Sequence, residues 1–299
     1  MKVFRAITAV SLATFSVAAS SQNERASDVL LRTDLGSLKD VKDLVKQISE
    51  LPSGQQNALI SAIRLDPRIV GGAPMKFEDA PYQVALIKGY AGGRYQFCGG
   101  TLIGADTVVT AAHCVDNPIV NKDPTRLDFI AGTAIYPEGG ERLKSRAIYI
   151  HPKWNSTNND YDVAVIKLAS ASTLGQPIQV DTTDIGAGIR ATVTGWGATS
   201  EGSRGSEELL GVEIPTVDNT TCNSSPSYNG LITLQMLCAG ERAGGLDSCQ
   251  GDSGGPLVVG RGPQARLIGV VSWGHGCARQ DKYGVYTRTA SVAAWISSL

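Results

Sequence analysis

Short apolar segments with a repeat of two residues, each closed by turn residues, are the feature that most constrains how this chain folds. They follow one another closely after Arg64, without a helical pattern between them. Such a pattern is typical of an all-β sandwich or barrel. The body from Ile69 to Leu299 is large for one sandwich and has the size of two small barrels, with a seam near residues 175–188. Residues 289–299 carry apolar side chains on one face and predict a short closing helix.

The N-terminal segment has a different character. Residues 1–19 contain Lys2 and Arg5, then an apolar run, then small residues, which is the layout of a secretory signal peptide. Residues 20–68 precede the β-rich body and are interpreted as a propeptide, in which the repeat from Ser37 to Leu51 predicts an amphipathic helix. We therefore expect a secreted, extracellular protein.

The cysteine content and the net charge indicate the cellular compartment and the classes of partner to expect. Six cysteines, all between Cys98 and Cys277, predict three disulfides in an oxidising compartment, with the pairing left open. A net charge of -1 gives no electrostatic basis for binding nucleic acid or an anionic membrane surface, so neither partner is expected. Three sequons predict N-glycosylation on the export route, at Asn155, Asn219 and Asn223.

One stretch of the sequence concentrates the candidate chemistry. Residues 247–256 read D-S-C-Q-G-D-S-G-G-P and place Ser253 among three glycines. Glycine lets the backbone turn tightly and aim several N–H groups into one small space, which suits a negatively charged oxygen. A serine hydroxyl is a weak nucleophile near neutral pH. Ser253 therefore requires a general base, and that base requires a carboxylate to hold its tautomer.

Three histidines are available as the base. His113 lies in T-A-A-H-C, directly after a strand-like segment and beside Cys114, whose disulfide would fix the local backbone. His151 precedes Pro152 in a polar loop and is interpreted as structural or solvated, and His275 in W-G-H-G-C has no obvious acidic partner. We predict that His113 is the base.

Two aspartates compete for the role of the carboxylate. Asp162 opens the apolar segment D-V-A-V-I-K-L and would be carried into the interior with it, whereas Asp160 lies in the polar run N-S-T-N-N-D. A buried aspartate normally requires a partner, so Asp162 is favoured. The resulting order His113, Asp162, Ser253 is the chain order of chymotrypsin-type proteases and differs from that of subtilisins and α/β-hydrolases.

The body of the chain resembles the trypsin-like members of the chymotrypsin family. The shared motifs are I-V-G-G at 69–72, T-A-A-H-C at 110–114, Y-D-V-A-V-I-K-L at 161–168, T-G-W-G at 194–197, the stretch 247–256, S-W-G at 272–274 and Y-G-V-Y-T at 283–287. The resemblance implies a protease domain over residues 69–299, folded as two antiparallel six-stranded β-barrels with a C-terminal helix. It also implies a serine endopeptidase that works through an acyl-enzyme.

By this resemblance each candidate residue has an expected role. Ser253 attacks the scissile carbonyl, His113 acts as base and then as acid, and Asp162 orients the imidazolium. The N–H groups of Gly251 and Ser253 would form the oxyanion hole. Asp247 would lie at the floor of the primary pocket and pair with a substrate Arg or Lys. The remaining pocket residues would be Ser248, Trp273, Gly274 and Gly284.

The resemblance also implies disulfides, an activation step and partners. The disulfide pairs would be Cys98–Cys114, Cys222–Cys238 and Cys249–Cys277. Cleavage after Arg68 would free the amino group of Ile69, which would pair with Asp252 and order the pocket. We expect protein or peptide substrates with Arg or Lys at the cleavage site, proteinaceous protease inhibitors as further partners, and a monomer.

No cofactor is expected. Residues 132–141 read G-T-A-I-Y-P-E-G-G-E and lie where many trypsins hold calcium. Glu138 and Glu141 resemble ligands, but Thr133 stands where another carboxylate is expected. Calcium takes six or more oxygen ligands, so we do not expect a metal site in this segment.

Two other functions compete with the protease. A protease homologue without activity, acting as a binding protein, would usually have lost a catalytic residue, and all three are present here. A serine esterase of the α/β-hydrolase type would need G-x-S-x-G and an acid between serine and histidine in the sequence, and neither condition holds. The non-catalytic homologue is the alternative that remains.

Overall fold

A computed structural model describes residues 70–90 and 93–299. The predicted signal peptide, the propeptide helix, Arg68 and Ile69 lie outside the described residues. The strands are β1 (Ala73–Pro74), β2 (Gln83–Tyr90), β3 (Gly93–Gly104), β4 (Thr107–Thr110), β5 (Asp128–Ala131), β6 (Glu141–Ile150), β7 (Ala164–Leu168), β8 (Gln179–Val180), β9 (Arg190–Gly195), β10 (Leu210–Val217), β11 (Met236–Ala239), β12 (Pro256–Val259), β13 (Arg266–Trp273) and β14 (Gly284–Arg288). The α-helices are α1 (Ala112–Val115), α2 (Asn219–Cys222) and α3 (Thr289–Ile296), and 3-10 turns occupy Phe77–Asp79, Pro124–Arg126 and Gly262–Gln264.

Six strands close the first barrel in the order β2-β3-β4-β7-β6-β5, and all neighbouring pairs are antiparallel. The second barrel has the order β9-β10-β11-β14-β13-β12 and closes where β12 pairs with β9. Two short strands join its outside, β1 against β10 and β8 in parallel with β13. The prediction of two antiparallel six-stranded barrels followed by a C-terminal helix is confirmed.

Strand β2 explains how the two barrels pack together. Val84 and Leu86 point into the first barrel, where they join a core with side chains of β4, β5 and β7. Ala85 and Ile87 point the other way and join a second cluster that includes Trp196 and side chains of the second barrel. Because successive strand residues alternate faces, an unbroken apolar run is what a strand buried on both faces requires. The barrels therefore share a continuous apolar contact.

The connection between the barrels carries the chain from Leu168 at the end of β7 to Arg190 at the start of β9. Helix α3 follows β14 and buries Val292 and Ile296 against the first barrel's core. Within residues 70–90 and 93–299, no helix is long and apolar enough to cross a membrane.

Candidate active site

Pairing of β4 with β7 brings His113 and Asp162 together. Thr110 at the end of β4 lies opposite Ala164 at the start of β7. The residues just after β4 therefore lie beside those just before β7. His113 in α1 donates its backbone N–H to one carboxylate oxygen of Asp162 at 2.9 Å, and its Nδ1 lies 2.7 Å from the other.

The second barrel completes the surroundings of Asp162. Strand β13 shifts register between Val271 and Trp273, and the intervening Ser272 donates its hydroxyl to the Asp162 carboxylate at 2.6 Å. Thr287 on β14 donates its hydroxyl to the backbone carbonyl of Asp162 at 2.7 Å. Asp162 is fully buried, so these donors replace the water that a carboxylate would otherwise bind.

His113 lies between the buried Asp162 carboxylate and the protein surface. Its side chain is 33% exposed while that of Asp162 is 0% exposed, so the imidazole lies at the edge of the site and the carboxylate behind it. Burial lowers the pKa of His113, but the charge and the hydrogen bond of Asp162 raise it by more, and the net pKa lies above its ordinary value. A carboxylate at Nδ1 leaves Nε2 as the nitrogen available to a reacting group.

Ser253 lies in the loop before β12, packed against the first barrel. Its backbone carbonyl accepts from the N–H of Gly99 at 2.7 Å and lies 3.6 Å from the Cys114 sulfur. That sulfur is 3.8 Å from Nε2 of His113. Gly254 has a φ of +80°, and a β-carbon there would lie 2.1 Å from the Thr110 hydroxyl. Only glycine allows the loop to approach β4 this closely.

Among the described residues, neither Gly251 nor Ser253 in this loop donates its backbone N–H to a hydrogen bond. Asp252 donates to the Cys249 carbonyl at 3.0 Å, Gly254 to Val271 at 2.7 Å and Gly255 to Asp252 at 2.8 Å. The N–H groups of Gly251 and Ser253 are not among these donors. They are the two groups expected to form the oxyanion hole, and Gly251 reaches its position with a φ of +97°.

A narrow cavity of about 210 Å³ opens beside Ser253, and we call it the primary pocket. Its lining includes all five predicted pocket residues together with Ser253, namely Asp247, Ser248, Trp273, Gly274 and Gly284. A β-carbon at Gly284 would lie 2.6 Å from an Asp247 carboxylate oxygen, so a larger residue would collide with that carboxylate. A β-carbon at Gly274 meets no neighbour closer than 3.4 Å, so glycine there leaves space rather than avoiding a clash.

Asp247 is buried with one oxygen unpartnered. Its side chain is almost completely inaccessible, and Oδ2 accepts from the N–H of Ala278 at 3.0 Å. Oδ1 is buried without a hydrogen-bond partner among the described residues. Burial raises the pKa of Asp247 to about 7, although the N–H groups of Ala278 and Ser248 oppose the shift. A cation in the primary pocket would supply the missing partner.

Asp252 is a second buried carboxylate, directly before Ser253. Its oxygens accept from the N–H groups of Gly197 at 2.8 Å and Cys249 at 2.9 Å. Burial raises the pKa of Asp252 to about 6, and the hydrogen bonds from these two donors offset only part of that rise. A β-carbon at Gly195 or Gly197 would lie within 2.6 Å of the carboxylate, so the two glycines make the space that it occupies.

The disulfides are Cys98–Cys114, Cys222–Cys238 and Cys249–Cys277. The first adjoins His113 and the last links two walls of the primary pocket. Among the described residues, the one group with metal-ligand spacing is Cys98, His113 and Cys114. Because its two cysteines share a disulfide, they offer no thiolate to a metal.

The other candidate residues lie apart from the reacting groups. Asp160 accepts from the Thr233 hydroxyl at 2.6 Å. His151 is buried, stacked on Tyr161 at 4.6 Å and edge-on to Trp295, and burial lowers its pKa. His275 is exposed and forms an aromatic cluster with Tyr228 and Trp273, and Trp273 lines the primary pocket.

The three sequons differ in their surroundings. Asn155 is exposed, and its side-chain oxygen accepts from the N–H of Thr157. The amide nitrogens of Asn219 and Asn223 donate to main-chain carbonyls at 2.9 and 2.8 Å, and both residues are half-buried. A glycan replaces one hydrogen of that nitrogen, so Asn155, which is exposed, is the sequon of the three that offers it most openly.

Glu141 and Thr133 in segment 132–141 make hydrogen bonds within the protein. The Glu141 carboxylate accepts from the hydroxyls of Ser172 and Thr173 and from the N–H groups of Thr173 and Leu174. Thr133 donates to carbonyls of its own loop. The Glu141 carboxylate thus holds the 172–174 turn, and the absence of a metal site in this segment stays a prediction.

Two residues of the site were not identified from the sequence. Ser272 holds Asp162, and Gln96 on β3 donates its side-chain amide to the Gly251 carbonyl at 2.6 Å. Ser272 lies within the S-W-G motif, which was a signal for the region but not for the contact. Gln96 had no sequence signal, because its partner is 155 residues away.

The similarity to known proteins covers the part of the chain that forms the two barrels. The family model described as trypsin matches residues 69–296. Trypsin 5G1 of Aedes aegypti is 37% identical over 244 residues, covering 80% of this chain and 87% of that protein. Trypsin-3 of Salmo salar is 39% identical, with 78% and 93% covered, and cationic trypsin-3 of Rattus norvegicus is 40% identical, with 77% and 89% covered.

Proposed function

The chain belongs to the trypsin family and is a serine endopeptidase, and we propose that it is a secreted zymogen which, once cut after Arg68, cleaves peptide bonds after Arg and Lys. One observation carries the specificity. Asp247 lines the primary pocket together with Ser253, and one of its carboxylate oxygens is buried without a hydrogen-bond partner in the described part of the chain. The three disulfides are consistent with an extracellular protein.

The proposed chemistry uses the groups described above. Ser253 attacks the scissile carbonyl as His113 takes its proton, and the N–H groups of Gly251 and Ser253 stabilise the oxyanion. His113 then gives that proton to the leaving amine, which leaves an acyl-enzyme for water to hydrolyse. Asp162, held by four hydrogen bonds including that from Thr287 to its carbonyl, keeps the imidazole in place and stabilises its charged form.

The proposed specificity depends on a difference between the two carboxylate oxygens of Asp247, because one accepts a hydrogen bond and the other has no partner among the described residues. A guanidinium or ammonium group in the primary pocket would pair with the unpartnered oxygen and hold the carboxylate ionised. An apolar side chain would leave that oxygen buried and alone, which is costly. Glycine at 284 leaves the carboxylate open to a long side chain.

Activation is proposed to act through Asp252. The precursor cut after Arg68 would have Ile69 as its first residue, next to Val70, whose backbone carbonyl accepts from the N–H of Asp247 at 3.2 Å. An ammonium group beside the buried Asp252 carboxylate would form a pair whose loss is costly. Since Asp252 adjoins Ser253 and lies against Gly197, this pairing would fix the loop that carries the nucleophile.

The test is hydrolysis of an Arg-ended amide by the full-length protein before and after cleavage at Arg68 with an immobilised protease that is then removed. We expect activity only after cleavage. Ser253→Ala should lower kcat about 10⁶-fold, the loss typical when the nucleophile of such a triad is removed. The control is Ser298→Ala, an exposed serine that should behave as wild type.

A cleaved, folded protein without this activity would contradict the enzyme and favour the non-catalytic homologue. Activity that survives Ser253→Ala would contradict the assignment of the nucleophile. Cleavage of apolar-ended but not Arg-ended amides would contradict only the proposed role of Asp247, and not the enzyme activity.

A further inference from the structure

Gln96 is the side chain through which β3 of the first barrel reaches the loop that carries Ser253. Its amide nitrogen donates to the backbone carbonyl of Gly251 at 2.6 Å. A β-carbon built on Gly251 would lie 3.4 Å from the other end of the same amide and 3.1 Å from the α-carbon of Gly197. Gly251 is therefore closely confined between the two barrels.

The hydrogen bond from Gln96 acts on one of the two peptide groups that flank Gly251. The preceding peptide carries the Gly251 N–H, and its carbonyl, that of Gln250, accepts from the N–H of Ala198 at 2.7 Å. The following peptide carries the Gly251 carbonyl, which accepts from Gln96. With both peptides held, rotation about Gly251 is restricted, and the direction of its N–H is fixed.

Gln96 is itself firmly placed. The backbone of Gln96 forms a hydrogen bond with the phenolic oxygen of Tyr136. Gln96 lies opposite Ile87 of β2, at the point where the register between β2 and β3 shifts. Two residues later, Cys98 forms the disulfide to Cys114, beside His113. A donor on this part of β3 therefore has a fixed position relative to the base.

We propose that Gln96 is a positioning residue, which holds the Gly251 carbonyl so that the Gly251 N–H points at the oxygen that becomes negative in the transition state. The inference rests on the proposed function, since it concerns the oxyanion hole of that site. Glycine at 251 is free to adopt other backbone angles, so a bond to its carbonyl is needed to select one. Gln96 need not touch the substrate.

The amide is suited to this role because it donates a hydrogen bond at every pH. A glutamate has nearly the same shape, but its ionised carboxylate can only accept, and it would face the Gly251 carbonyl with like partial charge. A protonated glutamate has a hydroxyl that donates. Gln96→Glu therefore converts a permanent hydrogen bond into one that forms as the pH falls.

The experiment compares wild type, Gln96→Ala, Gln96→Glu and the control Gln264→Ala, an exposed glutamine, all as full-length protein cleaved at Arg68. Rates are normalised by active-site titration, so that misfolded protein is not counted. At pH 8 we expect kcat for the Arg-ended amide to fall about tenfold in the alanine variant and at least as much in the glutamate variant. KM and the inhibition constant of benzamidine, which report on the primary pocket, should stay within threefold of wild type.

The pH dependence separates positioning from a general structural role. The ratio of kcat in Gln96→Glu to kcat in wild type should rise as the pH is lowered from 8 to 5, while the ratio for Gln96→Ala stays level. Wild-type kcat in both variants, or a low ratio in Gln96→Glu that does not change with pH, would overturn the proposal. Inactive wild-type protein would instead contradict the proposed function, so the two failures are distinct.

Discussion

The surroundings of Asp162 and of Asp247 show two ways of burying a carboxylate in one protein. Asp162 is fully buried, and its two oxygens accept from the backbone and ring of His113 and from Ser272. Asp247 is nearly as buried, but while its Oδ2 accepts from the N–H of Ala278, its Oδ1 has no hydrogen-bond partner among the described residues. Burial of an unpaired polar atom costs free energy, so the two sites differ in what they can still bind.

The difference indicates a division of labour. A carboxylate with all its partners inside the protein fixes what is around it, which suits the acid that orients His113. A carboxylate with one oxygen left over is stabilised only when a ligand brings a donor, which suits a floor that selects cationic side chains.

The largest effect is expected where the internal partners are disturbed. Asp162→Asn puts an N–H₂ group where His113 and Ser272 now donate, so the imidazole loses its acceptor and its favoured tautomer. We expect kcat to fall about 10⁴-fold, as is typical for this change in the family, with little change in benzamidine binding. Steady-state kinetics on titrated active sites measure both.

Asp160→Asn is the matched control for that change. Asp160 lies two residues earlier and accepts from Thr233 rather than from His113. Its amide variant should keep kcat within about threefold of wild type. A larger loss in Asp160→Asn than in Asp162→Asn would reverse the assignment of the acid.

The next effect is a change in specificity rather than in chemistry. Asp247→Ser removes the carboxylate that would pair with a substrate cation, and a lost buried ion pair is worth about 3 to 5 kcal/mol. We expect kcat/KM for an Arg-ended amide to fall about 10²- to 5 × 10³-fold, with a much smaller fall for a Phe-ended amide. Asp184→Ser, which alters an exposed aspartate paired with Arg288, should leave both values unchanged. Equal losses on the two substrates would contradict a selective role for Asp247.

The smallest effect concerns pH. Burial raises the pKa of Asp247 to about 7, and only the ionised carboxylate pairs with a cation. Benzamidine affinity should therefore be highest above pH 7 and fall about a hundredfold between pH 8 and pH 5. Calorimetry on the cleaved Ser253→Ala protein measures this without turnover. Asp247→Ser should abolish most of the pH dependence, and an affinity that is level from pH 5 to 8 in the parent protein would contradict the account.

The sequence predicted the barrels because most strands carry short apolar runs. It did not predict every strand. Strand β10 (Leu210–Val217) contains Gly211, Glu213 and Pro215, which weaken a strand pattern, and pairing with β9 along six residues overrides that weakness. Strand β11 (Met236–Ala239) has only four residues. Tertiary pairing rather than local preference determines such segments.

The candidate site was predictable where a motif is local and was not where it depends on the packing of the barrels. His113, Asp162 and Ser253 stood out because each lies in a distinctive short segment. The contact of Ser272 with Asp162 depends on a register shift in β13, and that of Gln96 with Gly251 depends on how β3 meets a distant loop. Neither is encoded in neighbouring residues.

Mapping of cleavage sites measures the specificity of the primary pocket. Full-length protein cut at Arg68 is incubated with a mixed peptide library, and the new C-terminal residues are identified by mass spectrometry. We expect almost all of them to be Arg or Lys, because a cationic side chain brings both a donor and an opposite charge to the Asp247 oxygen that has no partner among the described residues. New C-termini that are mainly apolar or acidic would contradict it.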